Sequence, residues 1–149
     1  MATKWLSEDE ERAWRAFRRL LVALPARLAR DLAADSGLSP ADYEVLSTLS
    51  EKPDRTWGLK DLAAKMEWSR SRLSHHTSRM QARGLIDRLP DPTDARGCLL
   101  HLTDAGFDLL TRAAPAHLDS VRARFVDHLD ADELAVLEKL STRIADLPD

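Results

Sequence analysis

Along the first third of the chain, Trp14, Phe17, Leu21, Leu24, Leu28 and Leu32 recur three or four positions apart, a spacing that collects them on one narrow stripe of a helix and asks for a second helix to cover it. Ser7-Glu8-Asp9-Glu10 precedes the stripe as a capping box, with serine hydroxyl and Glu10 carboxylate placed to satisfy free amides at a helix start. Pro25 lies inside the run and is expected to bend it by removing one backbone hydrogen bond, and Gly37 ends it. Leu38-Ser39-Pro40-Ala41-Asp42-Tyr43 then supplies a capping serine, a proline at the first helical position and a Leu38–Tyr43 staple, so a second helix is expected to about Ser50.

The pattern shortens in the middle of the chain. EKPDRTWG reads as a loop, LKDLAAKM (59–66) as a short amphipathic helix, and RSRLSHHTSRMQAR as a helix capped by Ser69 and stopped by Gly84. The tight turn Glu67-Trp68 joins the last two into a helix-turn-helix. LIDRL (85–89) and CLLHL (98–102) are short and apolar enough to pair as two strands, with PDPTDARG as the loop of a wing. Thr103 caps a long helix with Phe107, Leu110, Ala114, Leu118, Val121 and Phe125 on one stripe and Pro115 as a bend. Asp130-Ala131-Asp132-Glu133, stapled by Leu129 and Leu134, opens a last helix with Leu137, Leu140 and Ile144 inward. The fold class expected is mainly α with a small β-wing, in one domain. A winged helix-turn-helix lobe spans residues 38–103, between terminal helices at 8–36 and 104–146.

Composition narrows the function. At 149 residues, 44% hydrophobic and 32% charged, the chain suits one buried core. It opens without a signal sequence, and its longest apolar run, LLVALPA, is far short of a bilayer span, so a soluble, cytoplasmic protein with no membrane role is expected. Cys98 is the lone cysteine, which excludes an internal disulfide and a thiolate metal cage. His117 and His128, eleven residues apart on one helix, would stand roughly 16 Å apart and could not share an ion within a subunit. No phosphate loop, metal cluster or Ser/His/Asp arrangement appears, so neither an enzyme nor a cofactor is expected. Net charge is −3, yet residues 52–103 hold ten Lys/Arg against six Asp/Glu, a local +4 that leaves −7 elsewhere. A basic middle between acidic ends fits a site-specific DNA binder better than a protein that coats nucleic acid indiscriminately.

The helix after the turn carries the chemistry. Spacing sends Leu73, His76, Thr77 and Met80 inward and leaves Arg70, Ser71, Arg72, Ser74, His75, Ser78 and Arg79 outward, a face without a carboxylate. Arginine can pair with guanine edges in a major groove, and hydroxyls or helix-start amides can hold phosphates. Arg88 on the first wing strand joins this set as a further candidate DNA contact. At the wing tip, Arg96 is the candidate for a neighbouring minor groove, with Asp94 holding its guanidinium and Gly97 easing the turn. The competing readings are a solvated basic face and an exposed loop ion pair.

LSPADYEVLSTLSE followed by LKDLAAKMEWSRSRLSHHTSRMQARGLIDRLPDPTDARGCLLHLTDAG resembles the MarR family of bacterial transcription regulators. The ARGL exit at 82–85, the Asp-x-Arg wing at 94–96 and the LTDAG re-entry at 102–106 occur in order and in register over about residues 8–146. The resemblance implies a homodimer built by the first and last two helices and a palindromic double-stranded operator, with recognition helices roughly 34–36 Å apart or a multiple of that. It places the major-groove role on Ser69, Arg70, Ser71, Arg72, Ser74 and His75 and the wing role on Arg96, oriented by Asp94. It also implies repression relieved by a small aromatic or phenolic effector, for which Trp14, Phe17, Tyr43 and Trp57 are wall candidates or else plain core. The sequence departs from the family at Glu67, where glycine is usual, and at His76 and Thr77, where aliphatic residues are usual. His76 is then either a buried neutral residue bonded to a neighbour or a pH sensor, and Cys98 either a small strand residue or a redox switch. The alternative function is a dimeric winged-helix module that contacts protein and not DNA.

Overall fold

The computed structural model describes residues 3–148. Six α-helices and three strands follow one another as α1 (Glu8–Ser36), α2 (Pro40–Ser50), β1 (Thr56–Gly58), α3 (Leu59–Lys65), α4 (Arg70–Ala82), β2 (Ile86–Pro90), β3 (Cys98–Leu102), α5 (Asp104–Arg124) and α6 (Ala131–Ala145), with a short 3-10 turn at Val126–His128. The two predicted capping boxes form, Ser7 with Glu10 and Asp130 with Glu133, and the predicted capping serine Ser39 makes a third with Asp42. Thr103 caps α5 by accepting the Gly106 N–H at 3.0 Å.

The chain divides into two compact units, one spanning Leu32–Pro115 and the other made of the chain up to Asp31 and from Ala116 onward. The central unit has a closed core of Leu38, Val45, Leu46, Leu49, Leu62, Leu73, Met80, Ile86, Leu100 and Leu102, all fully buried. Burial of each such side chain is worth about 1.5–3 kcal/mol, so this core carries the unit's stability. Its sheet is antiparallel with order β1-β3-β2. The register pairs Thr56 with His101 and Trp57 with Leu100 on one side of β3, and Ile86 with Leu102 through Pro90 with Cys98 on the other. This corrects the expected two-stranded ribbon: the segment read as the loop EKPDRTWG contributes β1, and the run CLLHL is a central strand. β1 is only three residues long, too short to show a period.

The terminal unit is different in kind. Arg124 donates two hydrogen bonds of 2.9 Å to Asp31, and Ser120 donates a third. Those bonds hold the Asp31 carboxyl down at about 2. The apolar stripes of this unit, however, lie open within the single chain. Trp14 and Phe17 are each 50% exposed, with ring centroids 6.2 Å apart and planes tilted by 40°, and Leu118 and Ile144 are exposed as well. Leu137 is half-buried and Leu140 exposed, so the expectation that the last helix turns these residues inward is corrected: among the described residues of the chain none covers them fully. Leu20, Phe125, Leu129, Val136, Leu137 and Leu140 line an apolar groove of about 430 Å³. Phe125 ends up beyond α5, and so does His128, which removes the premise that His117 and His128 share one helix.

Candidate nucleic-acid interface

The turn between α3 and α4 sets the site. Met66 ends α3, and Glu67 then takes a left-handed conformation with φ of 55°. In that geometry the Trp68 N–H bonds back to the Ala63 carbonyl and the Glu67 N–H to the Ala64 carbonyl, closing the helix end that glycine usually closes. Ser69 follows in extended conformation, and its hydroxyl accepts the Arg72 N–H at 3.1 Å, starting α4. Gly84, at φ of 75°, closes α4 in the same manner, with the Leu85 N–H on the Met80 carbonyl.

The faces of α4 divide as the spacing predicts. Leu73, Thr77 and Met80 are fully buried, and Ser69, Arg70, Ser71, Arg72, His75, Ser78 and Arg79 are exposed, with Ser74 half-buried between them. The Arg72 guanidinium lies 3.6 Å above the Trp68 ring, so its position is fixed before any ligand arrives. Arg70 and Arg96, among the described residues, make no ion pair and no side-chain hydrogen bond.

Beneath this face sits a polar hub. Asp42, 5% exposed, accepts the Ser39 N–H at 3.1 Å and an Arg83 N–H at 2.8 Å, and its other oxygen lies 3.0 Å from His76 Nε2. Burial opposes its charge, but Arg83 and the Ser39 amide outweigh burial and keep the carboxyl below the usual range. Arg79 donates to His76 Nδ1 at 3.2 Å, which makes that nitrogen an acceptor and puts the ring proton on Nε2, 3.0 Å from Asp42 but not aligned for a hydrogen bond to it. Trp68 meets the His76 ring edge-on at 5.7 Å. Burial pushes the His76 pKa down, against the Asp42 charge and with the charges of Arg79 and Arg72. His76 is thus half-buried between α2 and α4, with Nδ1 bonded to Arg79 and its pKa lowered, features that fit the first of its two expected readings.

The wing tip is braced by its own acids. Asp91 accepts both the backbone N–H and the hydroxyl of Thr93, and Asp94 accepts the Arg96 N–H at 2.9 Å. Gly97 closes the turn at 2.9 Å from the Asp94 carbonyl, where an added methyl would stand 3.1 Å from Asp91 Cβ. Two sequence expectations change here. Asp94 holds the backbone of Arg96 and not its guanidinium, because a short carboxylate two residues back reaches the amide first. Arg88, expected to face DNA, turns its guanidinium onto α4 through four hydrogen bonds to Ser74, Thr77 and Ser78. Sequence reasoning missed the hub of Asp42, Arg83 and His76; the partners lie more than thirty positions apart, and no local pattern joins them.

Of the four aromatic wall candidates, Tyr43 and Trp57 are partly buried against the central core, and Lys52 covers the Trp57 ring at 4.1 Å. Trp14 and Phe17 are the half-exposed pair of the terminal unit, which excludes plain core for them within one chain. Cys98 is half-buried at the start of β3, and no three His, Cys, Asp or Glu side chains converge among the described residues. Among those residues no helix is long and apolar enough to cross a membrane.

A helix-turn-helix that exposes cations and hydroxyls along its second helix, beside an arginine-tipped wing, defines a winged helix-turn-helix protein of the DNA-binding class. The sequence model of the MarR family matches residues 38–98. AbsC, a MarR family transcriptional regulator from Streptomyces coelicolor, is 36% identical with a TM-score of 0.91 over 97% of each chain. Sco3205, another MarR family regulator from that organism, solved in complex with DNA, is 33% identical with a TM-score of 0.94, covering 97% of this chain and 91% of its own. The PcaV transcriptional regulator, solved with its natural ligand, is 27% identical with a TM-score of 0.74 over the full length of both. The chain belongs to the MarR family of transcriptional regulators.

Proposed function

We propose that this regulator works as a cytoplasmic homodimeric repressor that grips a palindromic operator and is released by a small aromatic or phenolic effector. The observation that carries the reading is the α4 surface, where Ser69, Arg70, Ser71, Arg72, His75 and Arg79 are exposed without one carboxylate among them. In this reading those residues and Ser74 enter the major groove, and Arg96 enters the adjacent minor groove from a tip that Asp94 keeps rigid. The Ser69 hydroxyl, which among the described residues only accepts, keeps its proton for a phosphate. A second copy supplies what the open stripes of the terminal unit lack, because contiguous exposed apolar surface of this kind marks an interaction face. Sco3205 in its DNA complex supports the duplex, and PcaV with its ligand supports release by a small molecule.

Selection of bound fragments from random duplex DNA tests the reading: an inverted repeat is expected, with affinity falling steeply in salt. Arg96→Ala is expected to weaken operator binding and to lower the slope of log affinity against log salt by about 0.9, with the dimer intact. Sequence-blind, weak association would instead mark a module that contacts protein. Arg96→Ala at wild-type affinity would remove the wing from the account.

A further inference from the structure

We propose that Arg88 is a positioning residue that clamps the wing to the recognition helix and fixes the donor direction of Ser74, and that it makes no contact with DNA itself. The inference rests on the DNA-binding reading above and deepens it. Strand alternation puts Arg88 on the same side of β2 as the buried Ile86, so its side chain starts toward α4 and not toward solvent. The two N–H groups of one terminal nitrogen are shared among three acceptors, the Ser74 carbonyl at 2.7 Å, Thr77 Oγ1 at 2.9 Å and Ser78 Oγ at 3.1 Å, so one of them is bifurcated. The other terminal nitrogen donates to Ser74 Oγ at 3.2 Å. All of these partners are neutral oxygens, so the guanidinium is held as a fork on a fixed set of dipoles, a geometry that lysine cannot copy.

Hydrogen bookkeeping gives the consequence. Ser78 accepts from Arg88 and sends its own proton to the Ser74 carbonyl at 2.9 Å, and Thr77 sends its proton to the Leu73 carbonyl at 2.7 Å. Ser74 Oγ accepts from Arg88 and, among the described residues, donates to no protein atom. Its proton is free at the half-buried edge of the DNA-facing surface, so Ser74 is presented as a donor, suited to a phosphate oxygen or a base acceptor. The same fork ties β2, which carries the wing tip, to the second and third turns of α4. Major-groove and minor-groove elements are thereby held in one mutual geometry before binding, which is the condition for a site that loses little on ordering.

The test is a salt titration of binding to the selected operator and to an unrelated duplex of equal length, for wild type, Arg88→Gln, Arg88→Lys, Thr77→Val and Arg96→Ala. Arg88→Gln is expected to lose operator affinity about tenfold or more, since charge-assisted bonds are removed. Its salt slope stays at the wild-type value while Arg96→Ala loses about 0.9. Arg88→Lys is expected to fare no better than Arg88→Gln, although it would restore a phosphate contact. Thr77 is fully buried and cannot reach DNA, so Thr77→Val probes the clamp alone. It is expected to weaken operator binding with the slope unchanged and to add nothing to Arg88→Gln. It also decides the matter by itself should Arg88→Gln fail to fold. A slope lowered by about 0.9 in Arg88→Gln, wild-type affinity in Arg88→Lys, or wild-type affinity in Thr77→Val overturns the clamp alone. A wild-type chain without operator preference overturns the DNA-binding reading and the clamp with it.

Discussion

Gly106 offers the sharpest test of the packing, because helix propensity and the structure predict opposite signs for Gly106→Ala. Within α5, alanine in place of glycine would ordinarily stabilise by about 1 kcal/mol. Here an added Cβ would meet the Leu85 carbonyl oxygen at 2.1 Å, Leu102 Cδ1 at 2.8 Å and the Leu85 carbonyl carbon at 3.0 Å. The nearest atom is backbone, so no rotamer relieves the contact; the start of α5 or the turn at Leu85 must move. That turn is bonded to α5 at two points, the Thr103 N–H to the Leu85 carbonyl at 3.2 Å and the Thr103 hydroxyl to the Gly84 carbonyl at 2.7 Å. Overpacking costs about 1–3 kcal/mol and each weakened bond about 0.5–1.5 kcal/mol, against the gain of about 1 kcal/mol. The net is destabilisation of about 3 kcal/mol, within a span of roughly 1–5 kcal/mol. For a chain of this length that lowers Tm by about 5–15 °C in thermal unfolding followed by circular dichroism at fixed protein concentration. Ala105→Gly, one position back on an exposed site, supplies the control and is expected to cost only about 1 kcal/mol. A Gly106→Ala protein that melts at or above the wild-type temperature would refute the close approach of α5 to the Gly84-Leu85 turn.

Two further outcomes follow from the hub and the helix turn. The folded His76 pKa lies below its ordinary value of 6.5, so on acidification the unfolded chain takes up this proton first. Its contribution to stability is complete above pH 6.5 and declines as pH falls from there toward the folded pKa, and urea unfolding at stepped pH should show less of that decline in His76→Leu than in wild type; equal pH dependence in both proteins would refute it. Glu67→Gly removes the cost of a left-handed side-chain-bearing residue, about 1 kcal/mol, less the extra freedom glycine gives the unfolded chain. A rise in Tm of up to about 2 °C is expected, and a fall would refute the strain assigned to that turn.

What could be read in the sequence, and what could not, follows one physical division. Caps, turns and helix faces depend on residues within four positions of one another, so Ser39 with Asp42, Asp130 with Glu133, and the exposed face of α4 were all legible. The left-handed turn at Glu67 was legible as well, through the resemblance that marks a glycine position there. β1 escaped because three residues carry no period, and the LTDAG motif was visible while the reason for its glycine, a carbonyl twenty-one positions upstream, was not. Arg88 shows the cost of reading charge without partners: the sequence presents a cation beside a helix proposed to bind DNA, and the fold gives it four neutral acceptors ten to fourteen positions away.

The open stripes of the terminal unit are a different kind of gap, since their spacing was clear and only the identity of the covering surface was missing. Trp14, Phe17, Leu118, Leu140 and Ile144 cannot all remain wet in a chain whose other unit has a complete core of its own. That asymmetry assigns the two halves separate tasks. The central unit closes on itself and ties the wing to α4 through Arg88, so the geometry proposed to face DNA can be prepared in each chain alone. In the proposed reading the terminal unit leaves its apolar surface for association, so the distance between two copies is set by these stripes and not by the residues proposed to face DNA. A regulator built this way can lose its operator through a change in the association surface while every residue of α4 and the wing keeps its place.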